Sequence, residues 1–109
     1  MAFAGLTLPL LLTAATALPP VEAPFLVGQV ATIQGTAKVD RTPAGEIYID
    51  LGGKGDAAPI SAYISRWNAV KFQDVGTLDG KTVQIRGRIS TFRGRPEIFL
   101  TSPDQIATK

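Results

Sequence analysis

From Gly28 onward the chain places its apolar residues at every second position. Glu46-Ile47-Tyr48-Ile49-Asp50-Leu51 alternates without a fault, directing Ile47, Ile49 and Leu51 to one face and Glu46, Tyr48 and Asp50 to the other. Residues 81–89 repeat the pattern, with Val83, Ile85 and Ile89 inward and Gln84, Arg86 and Arg88 outward. Residues 59–64 and 97–101 are shorter versions of the same alternation. The first such segment, residues 27–39, is long. Its alternation slips between Val30 and Ile33 and Gly35 interrupts it, which predicts a strand carrying a bulge or a sharp bend.

The connections between these segments are rich in Gly, Pro and Asp: residues 40–45, residues 52–56, and the turn Leu78-Asp79-Gly80. Ser65 is placed to cap one short helix over residues 66–75, with Trp67 and Phe72 closing the bottom of the fold. Gly94 suits the left-handed position of a hairpin between the last two strands. The order is strand, strand, strand, helix, strand, strand. This is the layout of an all-β, five-stranded Greek-key barrel of the OB-fold type with one short helix between strands 3 and 4. Closure also removes the exposed edges of a small sheet. An open β-sandwich is the alternative.

The N-terminus has a different character. Residues 6–17 form an uncharged apolar run of about a dozen residues, too short to span a bilayer, and Pro19 and Pro20 follow it. The small-x-small ending Ala15-Thr16-Ala17 predicts a signal peptide over residues 1–17 with cleavage after Ala17. Val21-Glu22-Ala23 is a second candidate, with Pro24 directly after the cut. Met1-Ala2-Phe3-Ala4 carries no Lys or Arg, so an uncleaved tether or a packing helix is the competing reading. No cysteine follows the run, which excludes a lipid-anchored form. On this reading residues 18–26 are a linker, with Phe25 packed against the domain of residues 27–109. The protein is then exported, periplasmic and monomeric, with no stable membrane span after processing.

Composition narrows the chemistry. The 109 residues include no cysteine and no histidine, which removes disulfides, thiolate and imidazole metal ligands, the cysteine nucleophile and the commonest general base. The aspartates are scattered over turns and strand faces, so neither a metal cage nor an acid–base pair is expected. The reading is a non-enzyme without a cofactor or metal. A degraded nuclease is a further alternative.

The formal charge of +2 implies no polyanion partner by its size alone, so only the placement of charge can inform. In the five-stranded layout the first and last inter-strand loops flank one face. Arg41 lies in the first and Arg93 and Arg95 in the second, and the three are predicted to converge, with Arg86 and Arg88 pointing outward from the adjoining strand. Guanidinium forks suit phosphate. Tyr48, Tyr63 and Phe92 supply stacking surface, and together these features predict a site for single-stranded nucleic acid or a similar polyanion. The alternative is a solvated face on an envelope barrel that binds protein or glycan or is purely structural. Glu46 and Asp50 flank Tyr48 and oppose phosphate there. Glu97 is expected to pair with Arg86 or Arg88 across the hairpin.

The segments "VGQV", "IYIDLGG" and "GKTVQIRGRISTFRGRPEIFLTSPDQI" also resemble a family of small exported bacterial OB-fold proteins described as nucleic-acid-binding or DNA-binding domains. The correspondence runs through Gly28 and Val30; Ile47, Tyr48, Asp50, Leu51 and Gly52; Gly80, Lys81, Val83, Ile85, Gly87 and Ile89; Phe92, Gly94, Pro96, Glu97 and Ile98; and Pro103, Gln105 and Ile106. These are mostly turn and core residues. The resemblance implies the barrel, export and nucleic-acid binding.

Overall fold

A computed structural model describes residues 16–109; the apolar run read as a signal peptide lies, up to Ala15, outside the described residues. The described residues form seven strands: β1 (Ala17–Leu18), β2 (Val30–Arg41), β3 (Ile47–Leu51), β4 (Ile60–Ile64), β5 (Thr82–Phe92), β6 (Arg95–Phe99) and β7 (Ile106–Thr108). Five of them close a circuit. Strand β2 pairs antiparallel with β5 from Val30 to Thr36 and with β3 from Ala37 to Arg41. Strand β3 then pairs antiparallel with β4, β4 parallel with β6, and β6 antiparallel with β5. This is the five-stranded Greek-key barrel of the OB-fold.

The alternation along each strand fills the interior. Ile33, Ile47, Ile49, Leu51, Ile60, Ile64, Val83, Ile85, Ile89 and Ile98 are all buried, and β-branched side chains suit this pleated interior. Gly35, where the sequence predicts a bulge or bend, stands just before the strand changes partners between Thr36 and Ala37. The reason for glycine is steric: a Cβ there would stand 2.8 Å from Pro20 Cγ and 3.4 Å from Leu51 Cβ.

Pro20 belongs to a segment expected to be a linker, and the structure corrects that expectation. Strand β1 runs parallel to β2, with Ala17 opposite Thr32 and Leu18 opposite Ile33. A 3₁₀ helix over Pro20–Phe25 then crosses one end of the barrel, and its Ala23 is fully buried. Residues 17–26 are therefore a plug. Phe25, expected to pack, points outward and is 83% exposed, because the inward position on this turn belongs to Ala23.

The opposite end is closed by the β4–β5 connection. Instead of one helix, this segment folds as two 3₁₀ turns, Ala69–Phe72 and Val75–Leu78. Asn68, Asp74, Gly76 and Thr77 are weak helix formers, and a three-residue period sends both Phe72 and Val75 into the barrel. Ser65 does start the segment, its Oγ accepting from the Asn68 N–H at 3.3 Å. Trp67, expected as a plug, is 74% exposed. After β6 the chain turns through Pro103–Gln105 with a capping box, in which Gln105 Oε1 accepts from the Ser102 N–H at 3.1 Å. Gln105 Nε2 donates to the Arg86 carbonyl at 3.1 Å, and β7 adds to the edge of β5. The closing Pro-x-Gln-Ile motif is thus structural.

The contact between Pro20 and Gly35 sets a test. Gly35→Ala should destabilise the barrel by about 1–3 kcal/mol through overpacking. In a Pro20→Ala background, which removes the ring atoms in the way, the same change should cost clearly less. Chemical denaturation of the four chains of this double-mutant cycle measures the coupling; strictly additive penalties would show that the plug does not meet Gly35.

Candidate functional site

Three strands of the barrel present their outward positions as one row. Tyr48 on β3 is the register partner of Tyr63 on β4, and Tyr63 is the partner of Phe99 on β6. Side chains of opposed residues project to the same side of a sheet. The three rings therefore lie side by side, with centroids 5.1 Å apart in both pairs and planes tilted by 52° and 38°. Phe99 is half exposed, and the tyrosines are partly covered by one another.

Two arginines, each beside an aromatic ring, flank the row at opposite ends of the strands. At one end the β5–β6 hairpin turns through Arg93 and Gly94, both with positive φ, 53° and 77°, the pattern of a type I′ turn. Glycine accepts this conformation freely, whereas arginine does not. The Arg93 guanidinium lies 5.1 Å from the centre of the Phe92 ring, and its charge acts on the Tyr48 hydroxyl. Tyr48, Phe92, Arg93, Arg95 and Glu97 line a groove of about 370 Å³ here. At the other end Arg66 stacks on Trp67, 4.3 Å from the ring centre, beside a smaller hollow lined by Glu46, Tyr63 and Ser65.

The predicted convergence of three arginines does not occur. Arg41 pairs with Ile47, which pairs with Ile64, whereas the parallel register of Ser61 with Glu97 sets Arg95 beside the opposite end of β4. Five residues of strand separate those rows, about 16 Å. Arg41 instead reaches the second 3₁₀ turn, where a Cβ on Gly76 would meet its Nη2 at 3.9 Å. Arg95 is committed to the fold: its Nη2 donates to the Gly55 and Ala58 carbonyls at 2.7 and 3.0 Å, and its Nη1 stands 3.7 Å from Asp56. Arg86 and Arg88 lie on the far side of the barrel, donating to Thr32 Oγ1 and the Gly28 carbonyl. Glu97 pairs with neither of them, because its register partner on β5 is Ser90.

The acids are distributed along the same face. Asp50 is buried and accepts from Ser61 Oγ at 2.6 Å and from the Gly55 N–H at 2.7 Å, which ties down the β3–β4 connection. Glu46 accepts from the Tyr63 hydroxyl and from Thr42 Oγ1. That hydrogen bond, with burial and the carboxylate charge, pushes the Tyr63 hydroxyl up to about 12. Burial, followed by the charge of Glu46, also raises Tyr48. Glu97 is held above the usual glutamate value by burial, partly offset by Arg95.

Sequence reasoning thus identified Tyr48, Tyr63, Phe92 and Arg93 as candidates that do share one face. It missed Arg66 and Trp67 as members of that face. The available signal was the weak amphipathicity and poor helix formers of residues 66–75, which argue against a packed helix. A larger open groove, about 720 Å³, runs between residues 70–78 and β7, but no exposed aromatic row lines it.

Neither a protein-family model nor a curated protein sequence matches the chain. Solved structures do. The OBody AM1L10, solved bound to hen egg-white lysozyme, aligns with a TM-score of 0.64 at 19% identity over 91% of this chain and 97% of its own. A protein assigned as an aspartyl-tRNA synthetase from Leishmania major Friedlin aligns with a TM-score of 0.58 at 15% identity over 90% of this chain. The aspartyl-tRNA synthetase of Entamoeba histolytica aligns with a TM-score of 0.51 at 17% identity over 79%. The chain spans about a fifth of each synthetase, 21% and 19%. At these identities the likeness is one of fold.

The half-buried Glu97 makes stability depend on pH. Its raised folded pKa means that the native state holds this proton more tightly than the unfolded chain does. The associated stability is fully present below the ordinary value of 4.5 and is lost as pH rises through the folded pKa. Melting temperature should therefore decline on this account as pH rises above about 4.5, and Glu97→Gln should flatten that component. An unchanged pH profile in the variant would remove Glu97 as its source.

Proposed function

We propose that this OB-fold barrel is a non-catalytic, monomeric binding module that lays an extended ligand across the β3–β4–β6 face, and that the ligand is a single-stranded nucleic acid. The observation that carries this reading is Arg93. A non-glycine residue in the left-handed region costs about 1–2 kcal/mol, a cost that a purely structural hairpin avoids with Asn or Gly. Here the strained position projects a cation beside Phe92 and the first ring of the aromatic row. Bases stack on Tyr48, Tyr63 and Phe99, while Arg93, beside Tyr48, and Arg66, beside Tyr63, meet phosphates along either side of the row. Two of the carboxylates on this face also hold its structure, Asp50 through Ser61 and Gly55 and Glu46 through Tyr63 and Thr42.

Arg93→Gly should raise stability by about 1 kcal/mol by relieving the backbone and should weaken binding of a labelled oligothymidylate. Phe99→Ala should weaken it by about 1–3 kcal/mol. With two participating cations the slope of log affinity against log salt should be about −1.4, and Arg41→Ala should leave it unchanged. Fluorescence anisotropy measures all three. A gain in stability from Arg93→Gly with undiminished binding would overturn the assignment of Arg93.

A second reading rests on the acids. Glu46, Asp56 and Glu97 stand among the rings and arginines, and carboxylates beside aromatic surface suit sugar hydroxyls or a basic protein surface. The fold serves varied ligands: two of the similar structures are tRNA synthetases by name and another is an OBody bound to a protein. Salt-insensitive binding of a neutral glycan, with none of the oligonucleotide, would favour this reading.

The apolar N-terminal run and the resemblance to exported OB-fold proteins support export to the periplasm. Between the two candidate cleavage sites, burial of Ala23 and the packing of Pro20 on Gly35 and Gly52 favour Ala17, since a cut after Ala23 strips the plug from the barrel. The exported protein should begin at Leu18 by N-terminal sequencing; a start at Pro24 would contradict this.

A further inference from the structure

Glu97 stands in the groove beside the β5–β6 hairpin. Its register partners are Ser61 on β4 and Ser90 on β5, so the three side chains project together from the outer face. Neither hydroxyl serves its carboxylate. Ser61 Oγ donates to Asp50 at 2.6 Å, and Ser90 Oγ donates to the backbone carbonyl of Glu97 at 3.2 Å. The other carboxylates of this face are engaged: Asp50 also accepts from the Gly55 N–H, Glu46 accepts from Tyr63 and Thr42, and Asp56 stands 3.7 Å from Arg95 Nη1. Among the described residues nothing donates to the Glu97 carboxylate and no cation pairs with it. Among them, too, no sealed side-chain polar atom lacks a partner, so this carboxylate opens into the groove.

Its surroundings are aromatic. The strand order β3–β4–β6–β5 sets Tyr48 and Phe92 on opposite flanks of Glu97, and both rings line the same groove of about 370 Å³. That volume is at the small end of the roughly 300–1,000 Å³ of small-molecule sites, the scale of one nucleotide rather than a length of strand. Arg93 lines the groove as well, over the Phe92 ring. Burial holds Glu97 above the usual glutamate value, so an ionised carboxyl here costs stability that a glutamine of the same shape avoids.

An ionised carboxylate accepts on two oxygens and donates on none. Guanine presents two neighbouring donors to it, N1–H and the N2 amino group, on its Watson–Crick edge. Adenine and cytosine each offer one amino donor beside a ring-nitrogen acceptor. Thymine and uracil offer one N–H between two carbonyl oxygens, which a carboxylate repels. Unpaired bases are read on this edge while they stack on aromatic side chains.

We propose that the groove is a guanine pocket within the nucleic-acid face: Glu97 accepts from guanine N1–H and N2–H, the base lies against Tyr48 and Phe92, and Arg93 meets its phosphate. The assignment rests on the single-strand reading of this face and adds a base preference to it.

Fluorescence anisotropy of the full chain tests it with a short labelled oligothymidylate and the same strand carrying one central guanine. The guanine strand should bind about tenfold tighter. Hypoxanthine in place of that guanine lacks the N2 amino group and should forfeit most of the gain. Glu97→Gln should weaken the guanine strand and tighten the all-thymine one, because a negative charge near the phosphates is gone. A wild type that binds the all-thymine strand but gains nothing from guanine, or a Glu97→Gln chain that keeps the preference, would overturn the pocket and leave the single-strand reading standing. Binding of neither strand by the wild type would overturn both. If Glu97→Gln binds neither strand, the hypoxanthine comparison on the wild type decides, with a loss relative to guanine supporting the pocket and equality overturning it.

Discussion

Strand β2 is shared between two halves of the barrel, and Gly35, without a side chain, stands where the sharing passes from one half to the other. Up to Thr36 the strand pairs with β5, and from Ala37 it pairs with β3, so one continuous backbone joins both ends of the sheet into a closed circuit. Pro20 fills the space beside Gly35 and also lies against Gly52, so one proline ring from the N-terminal plug meets the middle of β2 and the end of β3. The absence of a side chain at two glycines therefore does the work of a packing interaction.

Closure in this order determines which surfaces exist. The parallel pairing of β4 with β6 sets Phe99 beside Tyr63, and the antiparallel pairing of β3 with β4 sets Tyr48 on its other side. The same circuit turns the β2–β5 pair to the far side, carrying Arg86 and Arg88 away from the rings. A barrel of this size thus offers two faces of unlike chemistry. One is aromatic, with carboxylates among the rings and Arg93 and Arg66 flanking them; the other carries Val30, Arg86 and Arg88.

The cations of the β5–β6 hairpin show how position changes the role of a side chain. Arg95 and Arg93 are two residues apart and equally basic in sequence. Arg95 turns toward the β3–β4 connection, where the Gly55 and Ala58 carbonyls need donors, and there it fastens the hairpin to the loop. Arg93 sits at the apex with positive φ, beyond reach of those acceptors, and its guanidinium rests over Phe92. Two identical residues in one short motif thus divide between structure and solvent-facing chemistry.

Period-two alternation was legible in the chain because each inward position is chosen by its own burial. It sorted Ile47, Ile49 and Leu51 from Tyr48 and Asp50, and Val83, Ile85 and Ile89 from Arg86 and Arg88, without knowledge of any partner strand. Gly35 and Gly94 marked the change of partners and the hairpin for an equally local reason, the conformations or contacts that a side chain forbids. What the alternation could not carry was register. The separation of Arg41 from the last hairpin, the consumption of Arg95 by distant carbonyls, the exposure of Trp67 and the docking of residues 17–26 as a plug all depend on contacts between segments remote in the chain. Local pattern reports whether a residue faces inward or outward, because that follows from its own backbone. Which outward residues become neighbours follows from strand pairing, and pairing is a property of the whole closed sheet.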